Sequence, residues 1–296
     1  MSDSAIDLGA AIGALLVGAA LGLLLGLRFG PPVGIVIALV VAIALYLLKT
    51  RRTRRRRALA RAPFPASMRA VLEERVEYYQ RLSPDERRRF EDEVRFFLDE
   101  QTITGPRGAA LDERLRVLVA ASAVMVVFGR RGFRYPKLRD VVVYDEAFDE
   151  EYREGHAKHI LGMVHGQGPI LFSARALEHG FANTRDGLNV GVHEFAHVLD
   201  FDTGQADGVP SFMPWNSVTP WLSVMHDEAQ RIERRRSILR GYATTNEAEF
   251  FAVATEAFFE RPRAMRDKHP ELYALLRDTF GQDPASSPTE APRGDA

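Results

Sequence analysis

Two uncharged apolar runs open the chain. The first, from Leu8 to Leu27, has twenty residues, which matches the roughly 20 residues that a helix needs to cross a bilayer core of about 30 Å. The second covers 33–48, and the Pro31-Pro32 pair between the runs breaks the helix. Small residues in the first run allow the pair to pack closely: Gly9, Gly13, Gly18, Gly22 and Gly26. The pattern predicts a transmembrane helical hairpin. Because the second run is only sixteen residues long, a single crossing followed by an interfacial segment is the alternative.

A basic segment follows the second apolar run. Residues 49–61 carry eight basic side chains and no acid. By the positive-inside rule such a cluster stays on the cytoplasmic side, so we expect a prokaryotic inner-membrane protein whose remaining chain lies in the cytoplasm. The cluster would also touch the anionic lipid of the bilayer, and a nucleic-acid-binding arm is the alternative. The first seven residues hold two Asp and neither Lys nor Arg, which disfavours a cleaved signal peptide.

Beyond residue 61 the pattern alternates between helical periodicity and short apolar strands. Helices are predicted at 68–82, from Pro84 onward behind a Ser83 cap, and at 111–128, 189–200, 222–237, 244–260 and 270–280. Strands are predicted at 141–144 and 170–173. The sequence thus predicts an α+β, helix-rich domain with a few short strands. We expect three regions: the hairpin with its basic segment (1–61), the globular domain (62–281) and a Pro/Ser-rich disordered tail (282–296).

Charge and cysteine content restrict the function of the globular region. Residues 62–296 hold 30 basic and 38 acidic side chains, so direct nucleic-acid binding is not expected. The chain has no cysteine. Any metal site must therefore be built from His, Asp and Glu.

Residues 193–197 have the sequence His-Glu-Phe-Ala-His. On a helix, positions i and i+4 lie about 40° apart around the axis and roughly 6 Å along it, so His193 and His197 can bind one ion. Glu194 lies at the edge of that face, where it can reach a metal-activated water. Apolar residues around the motif favour a helix: Val192, Phe195, Val198 and Leu199. A surface helix with two incidental histidines is the alternative.

A second helix offers the third ligand that a catalytic zinc site needs. We predict that Thr244 and Glu247 form a capping box at its start. Glu249 and Glu256 lie seven residues apart on one face of this otherwise apolar helix, where a buried carboxylate must be paired or metal-bound. Glu249 is nearer a cleft mouth, whereas Glu256 is placed to hydrogen-bond to a ligand histidine from behind. The spacing leaves both residues open as the ligand.

Other candidate residues are less specific. Tyr242 precedes the second helix and could donate a hydrogen bond to the oxyanion of a tetrahedral intermediate, although core packing is the alternative for a single tyrosine. His156, His159 and His165 lie within ten residues of one another and could supply a further ligand or be exposed loop groups.

Longer motifs around these residues resemble a known family. The runs NVGVHEFAHVLDFDTG and DGVP, followed by GYATTNEAEFFAVATEAFFERP, together with QGPILFS and SFMP, resemble the Mlc titration factor A family of zinc metallopeptidases over roughly residues 65–285. The resemblance implies a zincin-like fold and one Zn²⁺ per chain. It implies His193, His197 and Glu249 as zinc ligands, Glu194 as general base and Tyr242 as the tyrosine that stabilises the transition state.

The resemblance also implies a function. It points to an aminopeptidase-type enzyme that hydrolyses short peptides. Independently of the resemblance, we expect the strand Ile170–Ser173 to pair with the extended substrate as an edge strand. The alternative is a regulatory binding protein that sequesters a transcriptional repressor, with a structural or regulatory zinc. In this family a histidine upstream of the QGPI strand can touch the metal in an inactive state, and His156 is the nearest match. Familiar members are soluble, so a hairpin that binds the lipid bilayer is a departure from the family.

Overall fold

The computed structural model describes residues 3–135, 138, 140–146, 162–164 and 169–286. The predictions for His156, His159 and His165, and for the tail beyond residue 286, lie outside the described residues. The chain divides into two compact units, Met1–Pro63 and Phe64–Ala296.

The first unit is an antiparallel pair of helices, α1 (Asp3–Phe29) and α2 (Pro31–Ala60). The helices approach so closely that a Cβ atom added at Gly22 would lie 2.5 Å from the Ala38 Cβ and 2.6 Å from the Gly34 carbonyl oxygen. This confirms the predicted close packing of small residues. Both helices are long and apolar enough to cross a membrane. The second helix does not end near Leu48 but continues through the basic segment to Ala60.

The second unit is built mainly from helices around one apolar core. They are α3 (Ala66–Arg75), α4 (Glu77–Gln80), α5 (Pro84–Glu100), α6 (Glu113–Val127), α7 (Ala174–Ala182), α8 (Val190–Asp200), α9 (Trp215–Glu233), α10 (Glu247–Glu260), α11 (Pro262–Lys268) and α12 (Pro270–Phe280). The fold class predicted from the sequence, α+β and helix-rich, is confirmed. The predicted Ser83 cap is present at the start of α5, where Ser83 and Glu86 form a capping box.

Two predicted helices have different bounds in the structure. The helix predicted at 68–82 is interrupted at Val76, whose extended ψ angle separates α3 from α4. The helix predicted at 222–237 begins seven residues earlier, at Trp215, and contains Pro220. A proline inside a helical pattern normally indicates a boundary, which is why the first turns of α9 were not predicted.

Four short strands form a mixed sheet: β1 (Thr102–Thr104), β2 (Asp140–Tyr144), β3 (Gly162–Val164) and β4 (Ile170–Ser173). Their order is β1-β2-β4-β3; β2 is parallel to both β1 and β4, whereas β3 is antiparallel to β4. The prediction that Ile170–Ser173 is an edge strand is wrong, because β4 lies between β2 and β3. In the sheet that the described residues form, β3 has the edge position next to β4.

Helix α8 lies against two buried helices. It packs on α6, in which every residue from Val117 to Val126 is buried, and on α10. The contact with α6 is so close that a Cβ at Gly191 would lie 2.0 Å from the Ser122 Oγ. The core therefore fixes the helix that carries the His-Glu-Phe-Ala-His motif.

Candidate metal centre

Helix α8 places two histidines on one face. The helix begins after Asn189, whose side-chain oxygen accepts a hydrogen bond of 3.0 Å from the Val192 backbone N–H. This is the usual N-cap arrangement of Asn, and it satisfies one donor of the first helical turn. The Nε2 atoms of His193 and His197 then lie 3.2 Å apart. The two imidazoles converge as the i, i+4 spacing predicts.

Helix α10 brings Glu249 to the same point. The cap of this helix is Asn246, whose side-chain oxygen accepts a 2.9 Å hydrogen bond from the Glu249 backbone N–H. The predicted capping box of Thr244 and Glu247 is wrong, because Thr244 belongs to a 3-10 turn and its hydroxyl donates to the Gly241 carbonyl oxygen. The cap places Glu249 in the first turn of the helix, at the open end of the site.

The three side chains fit a tetrahedral cation. The Oε2 atom of Glu249 lies 3.1 Å from the Nε2 atom of His193 and 3.5 Å from that of His197. Two ligands of a tetrahedral zinc ion, each about 2.0–2.1 Å from the metal, are separated by about 3.3 Å. The Glu249 Oε2 atom is shielded from solvent but accepts no hydrogen bond. A buried carboxylate oxygen normally accepts a hydrogen bond. This one faces two imidazole nitrogens and has no hydrogen-bond donor, as expected for an oxygen that binds a metal ion.

Glu256 lies behind the histidines. Its Oε1 atom is 2.6 Å from the Nδ1 atom of His193, and its Oε2 atom accepts a 2.8 Å hydrogen bond from the Asn189 backbone N–H. A carboxylate on Nδ1 keeps the proton on that nitrogen and leaves Nε2 free to bind a metal. The two glutamates that the sequence left open as ligand candidates therefore occupy different places around His193.

Glu194 is buried next to the two histidines. The residue is 4% exposed. Burial raises the pKa of its carboxyl group to about 7, although the positive charges of His193 and His197 act to lower it. A carboxyl group with such a pKa can take up and release protons near neutral pH.

Tyr242 reaches the site from the 3-10 turn that precedes α10. Its hydroxyl donates a 3.3 Å hydrogen bond to the Glu249 Oε1 atom, and its ring centre lies 6.2 Å from that of His193. Burial and the Glu249 carboxylate raise the pKa of its phenol. The phenol therefore stays protonated and can donate a hydrogen bond at neutral pH.

Three residues at the site were missed by the sequence analysis. Asn189 and Asn246 are the caps of the two helices that carry the ligands, and the preference of Asn for N-cap positions could have indicated them. Arg240 donates a 2.5 Å hydrogen bond to the Glu256 Oε1 atom. No motif distinguishes Arg240 from the other arginines of its segment, because the contact joins parts of the chain that only the fold brings together.

The donor set now defines a class of protein. Two histidines one helical turn apart, a glutamate from a second helix and a buried glutamate beside them are typical of mononuclear metallopeptidases. The family of glucose-regulated metallo-peptidases M90 matches residues 50–281. The chain belongs to this family, which has a metallopeptidase-type function and implies a bound metal ion. The family resemblance drawn from the sequence motifs is confirmed.

Several relatives are similar over most of the chain. An uncharacterized protein of Synechocystis sp. is 29% identical over 244 residues, which cover 78% of this chain and 89% of the relative. The Mlc titration factor A of Enterobacter sp. is 29% identical over 224 residues, or 69% and 82% of the two chains. That of Salmonella arizonae is 26% identical over 205 residues, or 64% and 80%.

Proposed function

We propose that the protein is a zinc-dependent peptidase in which His193, His197 and Glu249 hold one zinc ion per chain. The observation that carries this proposal is the set of three ligand-atom separations between 3.1 and 3.5 Å, which agrees with tetrahedral coordination. An imidazole and carboxylate donor set without sulfur suits zinc among the biologically common metals. The chain has no cysteine that could provide a competing thiolate site.

In this proposal Glu194 is the general base. Zinc, when bound, supplies a Lewis acid that polarises the scissile carbonyl and acidifies a water molecule. Glu194 takes a proton from the attacking water and passes it to the amine that leaves when the peptide bond breaks. Its burial keeps bulk water away from the carboxyl group and raises its affinity for that proton.

Tyr242 donates a hydrogen bond to the developing oxyanion. Its hydroxyl is held by the Glu249 Oε1 atom, which is not the oxygen that faces the histidines. The residue is 51% exposed, so the phenol can turn from this acceptor toward a substrate oxygen. A preorganised donor of this kind typically contributes about 10²–10³-fold to kcat.

The edge strand β3 is the proposed backbone partner of the substrate. It pairs antiparallel with β4 and packs near α8, and no strand among the described residues pairs with its other side. An extended peptide added there would run past the metal centre. This assigns to β3 the part that the sequence analysis gave to Ile170–Ser173. Aminopeptidase-type cleavage of short peptides is carried over from the family resemblance.

The hairpin is proposed to anchor the peptidase on the cytoplasmic face of the prokaryotic inner membrane. Helix α2 continues without a break from its apolar half into the basic segment, so the arginines would lie at the level of the lipid headgroups. Arg51, Arg54 and Arg61 lie on one exposed face of this helix, where they would attract anionic headgroups and keep that end in the cytoplasm.

A regulatory binding function is the second candidate. The name of two relatives, Mlc titration factor A, favours it, because that name refers to a binding partner and not to a peptide substrate. In this alternative the protein sequesters a transcriptional repressor, and zinc has a structural or regulatory role.

A Glu194→Gln variant separates the two candidates. The amide cannot accept the proton of the attacking water, so we expect hydrolysis of peptide and aminoacyl reporters to fall by about 10²–10⁴-fold while the metal content stays unchanged. Glu247→Gln makes the same chemical change at an exposed position of α10 and should leave the rate unaltered. An unchanged rate in metal-loaded Glu194→Gln would contradict the peptidase mechanism. A Glu194→Gln variant that loses hydrolysis but retains its biological activity would favour the binding function.

A further inference from the structure

The segment between α9 and α10 carries two side chains that reach the metal centre. We call the part of it from Ser237 to Thr244 the strap. Arg240 contacts Glu256 and Tyr242 contacts Glu249. The strap has little regular structure beyond the 3-10 turn at its end. Its position must therefore come from contacts with the rest of the domain.

A buried pair of side chains holds the beginning of the strap. The Nδ1 atom of His269 lies 2.9 Å from the Glu228 Oε1 atom, and its Nε2 atom accepts a 3.2 Å hydrogen bond from the Ile238 backbone N–H. His269 is 1% and Glu228 4% exposed. The Ser237 hydroxyl donates to the Glu228 Oε2 atom at 3.3 Å. The pair thus fixes both the backbone and a side chain at the start of the strap.

The same atoms have the spacing of a hydrolytic triad but cannot act as one. The Ser237 Oγ atom lies 3.4 Å from the His269 Nε2 atom as well as 3.3 Å from the Glu228 Oε2 atom. The lone pair of that nitrogen already accepts the Ile238 backbone N–H, and a neutral imidazole has one acceptor nitrogen. His269 therefore has no free acceptor with which to activate a hydroxyl. The arrangement holds backbone in place and supplies no nucleophile.

Arg240 holds the strap at its middle. Its Nη2 atom donates to the Glu256 Oε1 atom at 2.5 Å, and that same oxygen is 2.6 Å from the His193 Nδ1 atom. The Glu256 side chain is 2% and the Arg240 side chain 33% exposed, so water reaches this ion pair only from the arginine side. The 3-10 turn Gly241–Thr244 begins at the next residue and presents Tyr242, which lies two residues after Arg240. Displacing Arg240 would therefore move the phenol.

We propose that Arg240 is a positioning residue that, together with the Glu228–His269 anchor, fixes the strap so that the Tyr242 phenol stands over the metal centre. This inference rests on the proposed peptidase function. Arg240 does not touch the substrate, and its effect passes through the strap to Tyr242. A displacement of about 1 Å at a reacting group can cost about 10²-fold in rate, so the anchoring has a measurable consequence.

The test is a double-mutant cycle on the full-length, zinc-loaded protein. We expect Arg240→Gln to lower kcat by about 10–100-fold with little change in KM. In a Tyr242→Phe background the same substitution should lower kcat by less than about twofold, because the group that it positions is gone. Arg240→Lys keeps the charge and should recover part of the loss. Arg236→Gln, at an exposed position of the preceding loop, is the matched control and should behave as the wild type.

A second measurement is independent of turnover. Amide hydrogen exchange should show slow exchange at Ile238 and across the strap in the wild type. Both Arg240→Gln and His269→Ala should speed exchange in the strap while leaving α8 protected. If the wild-type protein hydrolyses no peptide, the proposed function fails. Hydrogen exchange still tests whether Arg240 and His269 hold the strap in place.

Two results would overturn the proposal. One is an equal loss of kcat on Arg240→Gln with and without the Tyr242 hydroxyl, accompanied by weaker zinc binding. Arg240 would then act through Glu256 and His193 on the metal and not through the strap. The other is unchanged strap exchange in both variants.

Discussion

Buried carboxylates near the metal centre are tolerated because of their neighbours. Glu256 is almost completely buried, yet it accepts hydrogen bonds from an imidazole, a guanidinium group and a backbone amide. Glu249 has one oxygen without a hydrogen-bond donor, and that oxygen faces two imidazole nitrogens. A satisfied carboxylate can support its neighbours, whereas one with a missing partner requires a ligand. Glu256 and Glu249 therefore differ in whether their buried oxygens have hydrogen-bond donors.

A single glycine sets the distance between α8 and the core. Gly191→Ala would force a methyl group to within 2.0 Å of the Ser122 Oγ atom and 2.8 Å of its Cβ atom. We expect the free energy of unfolding to fall by about 1–3 kcal/mol, as is usual for overpacking. Chemical denaturation followed by circular dichroism measures this change. Gly241→Ala adds the same methyl group where no atom lies within 4 Å and should be nearly neutral; equal stability of both variants would contradict the packing described.

The helices and strands of the site could be predicted where a local sequence pattern specifies them. The 3.6-residue period and the His-Glu-Phe-Ala-His spacing predict α8 correctly, and the apolar runs predict β2 and β4. The strands β1 and β3 have three residues each, which is too short for a recognisable alternation. Glu249 and Glu256 share one face of α10, so their spacing cannot separate a metal ligand from its support. The packing of α10 against α8 brings Glu249 to the histidine Nε2 atoms and Glu256 to the His193 Nδ1 atom, and the sequence does not encode that packing locally.

The start of α10 gives a prediction at the scale of the element. Asn246→Ala removes the acceptor of the Glu249 backbone N–H and should lower the free energy of unfolding by about 1 kcal/mol. Asn246→Asp keeps an acceptor and should retain most of the stability. Thr244→Ala tests the rejected capping box. In the same denaturation experiment it should lower the free energy of unfolding by less than Asn246→Ala does. The reverse order would restore Thr244 as the cap.

The chain consists of two units, an apolar helical hairpin and a domain with an apolar core. Among the described residues, the apolar core cluster of the second unit runs from Phe64 to Ala285. The hairpin exposes a continuous apolar surface typical of lipid contact. The molecule is therefore expected to function as a peptidase domain tethered to a bilayer.

Removal of the hairpin tests this division. A chain that begins at Phe64 should remain in solution, fold cooperatively and bind zinc as the full-length protein does. The full-length protein should stay with the membrane fraction after an alkaline carbonate wash. Aggregation of the shortened chain, or release of the intact protein by the wash, would contradict the assignment of the two units.

The zinc content of the purified protein tests the central claim most directly. Elemental analysis of full-length protein, freed of loosely bound metal by dialysis, should find about one zinc ion per chain in the wild type and at least about tenfold less in Glu249→Ala. The matched variant Glu247→Ala, in the same turn of α10, should retain the wild-type content. Absence of stoichiometric metal in the wild type, or full zinc content in Glu249→Ala, would contradict a centre built from His193, His197 and Glu249.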